Sequence, residues 1–227
     1  MEETTAFKTK TILFVGGMIL IIMLLFSAWA WQQIPPDQKM PVHWGANGEV
    51  DRYGSKFEGL FLMPIIIGAL IIPLAIFIPY LEPRKENFKQ SRKVFYIIIF
   101  CVMFFMAGIH FATIMFALGY PVKIAAIVPA GVGILFIVIG NYLGKIRSNF
   151  FMGIRTPWTL SSELSWNKTH RLGGKLFVLM GIVMLAAGIF QIHILIPVIS
   201  MLFCVGVMVI YSYVVWKSDP NKQTSGR

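Results

Sequence analysis

The chain has 227 residues, of which 57% are hydrophobic and only 13% charged, with a mean hydropathy of +0.73. Soluble domains run at roughly 45–50% apolar and about 25% charged, so a water-soluble globular fold is excluded and lipid is the solvent for most of the chain. The net charge of +10 would raise nucleic acid for a soluble protein, but no nucleic-acid module accompanies it, and membrane proteins gather Lys and Arg in their cytoplasmic loops.

The first apolar run, near Thr11–Trp31, has the length of a membrane span, about 20 residues. Ala28-Trp29-Ala30 matches the small-x-small pattern of a secretory cleavage site. The run is long for a signal core and a bulky Trp31 follows it, so it reads as a retained helix. An outer loop then occupies 32–56. Pro35, Pro36 and Pro41 stiffen its first half. Asn47-Gly48, between Val42-His43-Trp44 and Glu49-Val50-Asp51, predicts a turn and a small hairpin-like cap. His43, Trp44, Asp51 and Tyr53, framed by Pro41 and Gly48, are the candidate recognition surface. The same residues admit a structural reading, with Trp44 and Tyr53 in the interfacial aromatic belt and His43 bonded to Asp51. A metal would need at least one more ligand. Ser55 followed by Glu58 predicts a capping box at the start of the second helix.

The second run covers Phe57–Tyr80 and the third Val94–Leu118. His110, inside the third, is either functional or a neutral histidine bonded to a neighbouring helix, because an ionisable group is costly there. His110 and Asn141 are the polar side chains singled out within the spans. The fourth run is Ile124–Leu143, and an inner loop follows at 144–171. Thr156-Pro157 breaks the chain, and Ser161 or Ser162 is placed to cap a short helix with Glu163 in its first turn. Trp158 and Trp166 suit the headgroup level. The segment is either an amphipathic piece that orients the helices or a docking site for a partner. The last two runs are Leu172–Phe190 and His193–Trp216. Gly174, Gly181 and Gly188 recur every seven residues and mark a face for close helix packing. Pro64, Pro73, Pro129 and Pro197 should bend their helices or sit at breaks. Cys101 and Cys204 lie in apolar runs and read as small core residues.

Orientation follows from Lys and Arg between the spans. Lys8, Lys10, Arg84, Lys85, Lys89, Arg92, Lys93, Lys145, Arg147, Arg155, Lys168, Arg171, Lys217, Lys222 and Arg227 fall on one side, and only Lys39, Arg52, Lys56 and Lys123 on the other. The expected fold is an all-α polytopic protein with six transmembrane helices and both termini cytoplasmic. Its expected parts are an N-terminal membrane domain at 1–80, a linking loop and third helix at 81–123, a core at 124–216 and a cytoplasmic tail at 217–227.

Catalysis fits poorly. His43 falls outside, His170 inside and His110 between, so they never converge, and no triad, HExxH or phosphate-loop pattern is present. No metal, cofactor or direct nucleic-acid contact is expected. No acidic residue lies deep in a span, which weakens proton-coupled transport.

Pro41-Val42-His43-Trp44-Gly45 and Asn47-Gly48-Glu49-Val50-Asp51-Arg52-Tyr53-Gly54-Ser55-Lys56 resemble a small bacterial membrane domain of uncharacterised role. Gly140-Asn141-Tyr142-Leu143, the run from Asn149 to Leu160, and Trp166-Asn167-Lys168-Thr169-His170-Arg171-Leu172-Gly173-Gly174 resemble the core of the SdpI family. The resemblance spans roughly 15–215. It implies a non-enzymatic immunity protein of the bacterial cell membrane that protects its producer from a secreted, membrane-active peptide toxin. It also implies signalling, in which the toxin-bound protein holds a cytoplasmic transcriptional repressor at the membrane. Sidedness assigns the toxin to the outer loop and the repressor to Arg155, Thr156, Trp158, Trp166, His170 and Arg171. The alternative is a transporter or exporter of the toxin or a small solute, which requires a polar cavity around His110.

Overall fold

The computed structural model describes residues 2–45 and 48–222, with side chains from Lys10 onward. Asn47 of the expected turn and Arg227 of the expected tail lie outside the described residues.

Helix α1 (Glu2–Gln33) leads into a hairpin of β1 (Met40–Trp44) and β2 (Val50–Gly54). Helix α2 (Lys56–Leu81) and α3 (Lys85–Ala117) follow, then α4 (Ile124–Leu143), a single turn α5 (Pro157–Leu160), α6 (Glu163–Phe190) and α7 (Leu195–Lys217). Six of these, all but α5, are long and apolar enough to cross a membrane. In lipid each span must satisfy its own backbone, and only a helix does so within one segment. The chain is a helical multi-pass membrane protein carrying one small hairpin.

Three helices begin earlier than their apolar runs. Helix α1 starts at Glu2 rather than near Thr11, α3 at Lys85 rather than near Val94, and α6 at Glu163 rather than Leu172. Hydropathy marks the part of a helix that meets lipid and is blind to polar turns that extend beyond it. Ser162 therefore caps α6 itself, accepting from Ser165 N at 2.9 Å. The short helix expected there lies upstream, as α5. Thr156 caps it, with Pro157 in the first turn where no N–H donor is needed.

The prolines act individually. Between Pro64 and Pro73 the α2 backbone widens to a π turn at Ile67–Ile71, where Ile72 N–H reaches back to Ile67 O. Pro73 has no N–H, and an extra residue in the turn accommodates the lost bond. Pro197 falls in the first turn of α7 and costs no bond.

Helices α1, α2 and α3 pack around Ile12, Met23, Ile67, Phe88, Phe95 and Met103. Nearer the hairpin, Met40 of β1 joins Ala30, Ile34, Leu60 and Ile114 in a second cluster. Helices α4 and α6 meet differently, with backbone against backbone. A Cβ on Gly181 would fall 2.6 Å from Gly133 O, one on Gly174 2.8 Å from Gly140 O, and one on Gly188 2.6 Å from Ala126 O. The seven-residue glycine spacing in α6 thus meets small residues at the same spacing in α4, running antiparallel. Such close approach lets van der Waals contact hold helices together where lipid supplies no hydrophobic drive.

Candidate functional site

The hairpin is seated on the helix ends beneath it. Met40 is fully buried against Gly59, where a Cβ would lie 2.3 Å from the Met40 Cβ. Gly48 turns at φ +80°, and a Cβ there would come within 2.4 Å of the Ala125 Cβ, so a larger residue fails on both conformation and space. Gly45 and Gly48 close the turn, with Gly48 N–H donating to Gly45 O at 2.9 Å. Gln38 donates to Ala117 O at 2.8 Å, and Trp44 sits edge-on to Phe116 with ring centres 6.1 Å apart. Lys56 donates to Ile34 O at 2.5 Å and lies over the Trp31 ring.

Of the outer-loop residues, His43, Asp51 and Tyr53 reach solvent, Trp44 is half-buried, and Pro41 is buried. His43 Nδ1–H donates to Asp51 Oδ1 at 2.6 Å, with the side chains 63% and 50% exposed. The pair both closes the hairpin and stays accessible. Ser55 accepts from Glu58 N at 3.1 Å, but the Glu58 carboxylate faces Arg52 at 3.5 Å, so the predicted cap has that ion pair beside it. Beside the hairpin, Ala28, Trp31, Gln32, Phe57 and Phe61 line an open cleft of about 420 Å³.

At the opposite face the inner segment is folded tightly on itself. His170 is 1% exposed and stacks on Trp166 with ring centres 4.0 Å apart. Its Nδ1–H donates to Trp166 O at 2.8 Å, and its Nε2 accepts from Ile154 N–H at 3.0 Å. That arrangement needs a neutral imidazole, because Nε2 can accept only without a proton. Gly153 makes room for it at φ +107°, where a Cβ would lie 2.4 Å from His170 Nε2. Trp166 Nε1–H donates to Ile146 O at 2.8 Å. Thr156 is buried in the α5 cap and lies 3.0 Å from Ser212 Oγ. Asn149 Oδ1 accepts from the Phe151 and Met152 amides.

The six inner-loop candidates therefore separate. Thr156, Trp166 and His170 are enclosed and hold the segment's shape. Arg155 is exposed and bonds Phe150 O, and Trp158 packs edge-on against Tyr213 of α7 at 5.2 Å. Arg171 is exposed on the other flank, against Gly144 at the end of α4.

Comparison with known proteins matches this segment to a family model described as the SdpI/YfhL protein family. The match covers residues 145–214. Residues 18–68, spanning α1, the hairpin and the start of α2, match a domain of unknown function (DUF1648). The chain is 27% identical over 208 residues to a Bacillus subtilis (strain 168) protein named Immunity protein SdpI, covering 89% of this chain and 95% of that protein. No solved structure matches the chain.

The segment that matches the SdpI/YfhL model is strapped to the N-terminal half by residues that were not among the sequence candidates. Glu82 is fully buried; its carboxylate accepts from Arg84 N–H at 2.8 Å and from Phe150 N–H at 2.9 Å. Arg84 donates to Ser148 Oγ and to Leu160 O and lies over the Phe150 ring. Asn87 donates to Ser148 O, and Ser91 accepts from Arg147 N–H. A signal was present: Leu81-Glu82-Pro83-Arg84 puts a carboxylate directly after an apolar run. Between the strap and the start of α6 lies a cavity of about 490 Å³, bordered by Arg84, Ser161, Glu163 and Asp219. Donation from Ser162 Oγ, and then from Asn221 N–H, holds the Asp219 carboxyl below its ordinary pKa.

Within the spans, His110 is 1% exposed, with Nε2 3.0 Å from Ser27 Oγ, and Ser27 donates to Leu60 O at 2.6 Å. These bonds join α3, α1 and α2. Asn141 is exposed and donates to Ile137 O of its own helix. Among the described residues no three His, Cys, Asp or Glu side chains converge on a possible metal position.

Proposed function

We propose that this chain is a membrane immunity protein that protects its cell from a secreted, membrane-active peptide toxin and relays toxin binding to a repressor on the other face. The similarity to Immunity protein SdpI along nearly the full length of both chains carries this reading. In it the hairpin faces outward, where Lys and Arg are few, and the SdpI-family segment faces the cytoplasm.

The two faces suit the two tasks. The outer one offers the accessible His43–Asp51 pair and Tyr53 next to an aromatic-lined cleft, a combination of polar handle and apolar wall fitted to an amphipathic peptide. The inner one leaves Arg155 and Trp158 on one flank and Arg171 on the other as the partner-facing residues, since Thr156, Trp166 and His170 are enclosed.

The test is membrane potential in toxin-sensitive cells challenged with the peptide, with and without this protein. Cells expressing it should keep their potential, and His43→Ala/Tyr53→Ala at equal expression should lose it. Arg155→Ala/Trp158→Ala should keep the potential while releasing a tagged repressor from the membrane. Collapse of the potential despite good expression of the unaltered chain would reject immunity, and undiminished recruitment would reject the inner assignment.

A further inference from the structure

The basic face carries a further cavity, distinct from the one between the strap and the start of α6. It has a volume of about 530 Å³ and lies between the end of α4 and the first turns of α6, within the roughly 300–1,000 Å³ of small-ligand sites. Lys145 and Arg147 enter it from the chain leaving α4, and Lys168 and Arg171 from α6. Ile146 and Leu164 add apolar surface. None of its lining residues is acidic, and none of the four cations takes part in the ion pairs found among the described residues. Lys145 has the Tyr142 ring at 4.9 Å, which leaves its charge uncompensated. Four like charges around one hollow repel one another and lower their energy by sharing an anion.

The placement says which kind of anion. Arg171 directly precedes the apolar run of α6 that begins at Leu172, and Lys145 lies two residues beyond the last residue of α4, so the cavity stands at headgroup depth. Lys168, Arg171 and Lys175 follow one another at intervals of three and four on α6 and share a face. Lys175 is exposed one turn inside the apolar run. A soluble acidic protein cannot follow the stripe to that depth, whereas a lipid phosphate can, with Lys175 reaching up to it. We infer that this cleft binds the headgroup of an anionic phospholipid, its phosphate held by Lys145, Arg147, Lys168 and Arg171 and its acyl chains lying along α4 and α6. The inference is independent of the immunity reading, because lipid binding is measured without any toxin.

The experiment uses the full-length protein purified in neutral detergent, with bound lipid counted by native mass spectrometry during titration with phosphatidylglycerol or phosphatidylcholine. Phosphatidylglycerol should bind at least tenfold more tightly. Lys168→Gln/Arg171→Gln should weaken it by roughly fivefold per charge removed. Both side chains are exposed, and an unchanged melting temperature in detergent would show that the variant is folded. Lys85→Gln/Lys93→Gln, also exposed on the basic face, should bind like the unaltered chain. Equal binding of the two lipids, or an equal loss in the Lys85/Lys93 variant, would overturn the proposal. Displacement of phosphatidylglycerol by equimolar inorganic phosphate would reassign the site to free phosphate, and displacement by a polyglutamate peptide at lower concentration would reassign it to a protein partner.

Discussion

His170 has both ring nitrogens committed, one to the Trp166 carbonyl and one to the Ile154 amide, in a place that water does not reach. Its role follows from that wiring: it fixes the path of the chain through Gly153 and Ile154 by bonds that no aliphatic residue can supply. Replacing it with Ala would strand a buried donor and acceptor and leave a void beneath Trp166. The expected loss is about 2–4 kcal/mol, read from denaturant unfolding in detergent; a variant as stable as the parent would refute the role. The Trp166-x-x-x-His170 spacing was visible in the sequence, and on a helix it places both rings on one face. The apolar run begins only at Leu172, so these residues read as loop and thus as surface. On the hairpin His43 and Asp51 were legible as a bonded pair, because the turn signal of the Asn47-Gly48 sequence predicts strands that bring them together. The buried Glu82 is harder to read, since its one signal, a carboxylate directly after an apolar run, is not periodic and resembles the loop charges around it.

Helices α4 and α6 illustrate a contact set by the absence of side chains. The period of seven in α6 announced a close-packing face. Its complement, Ala126, Gly133 and Gly140, repeats at the same interval and becomes recognisable once the two helices are known to be antiparallel neighbours. Gly181→Ala would drive a methyl against the Gly133 carbonyl, an atom that cannot turn aside, and should cost about 1–3 kcal/mol. Gly206 on α7 has open space beyond it, so Gly206→Ala should be neutral or gain up to about 1 kcal/mol from helix propensity. Thermal unfolding of the two variants side by side measures the contrast, and equal effects would mean that the contact contributes nothing. The π turn in α2 escaped prediction for a different reason. Pro64 and Pro73 foretell some irregularity, but the sequence does not say whether the helix kinks, breaks or widens.

For the whole molecule, the number of spans and the hairpin between the first two were legible, because lipid length and turn chemistry are local rules. How the two halves attach was not, because the strap joins residues 82–91 to residues 147–160 through single polar bonds. Glu82 is central to it, accepting two amides from opposite sides of the join. Glu82→Ala should raise hydrogen exchange at the amides of Arg84 and Phe150 and across 146–152, while the α4–α6 contact stays protected. Unchanged exchange in that stretch would show that other bonds hold the halves together.

The glycine contact has a mechanical consequence. Sliding α4 by about one helical turn along α6 would bring Ile137 or Val178 onto a backbone where only hydrogen now fits. The two helices therefore have one allowed register, like a key cut for one lock, and between them they form a stiff plate that neither shears nor slips. In the proposed relay, a signal from the hairpin to the basic face would have to carry that plate as a single body.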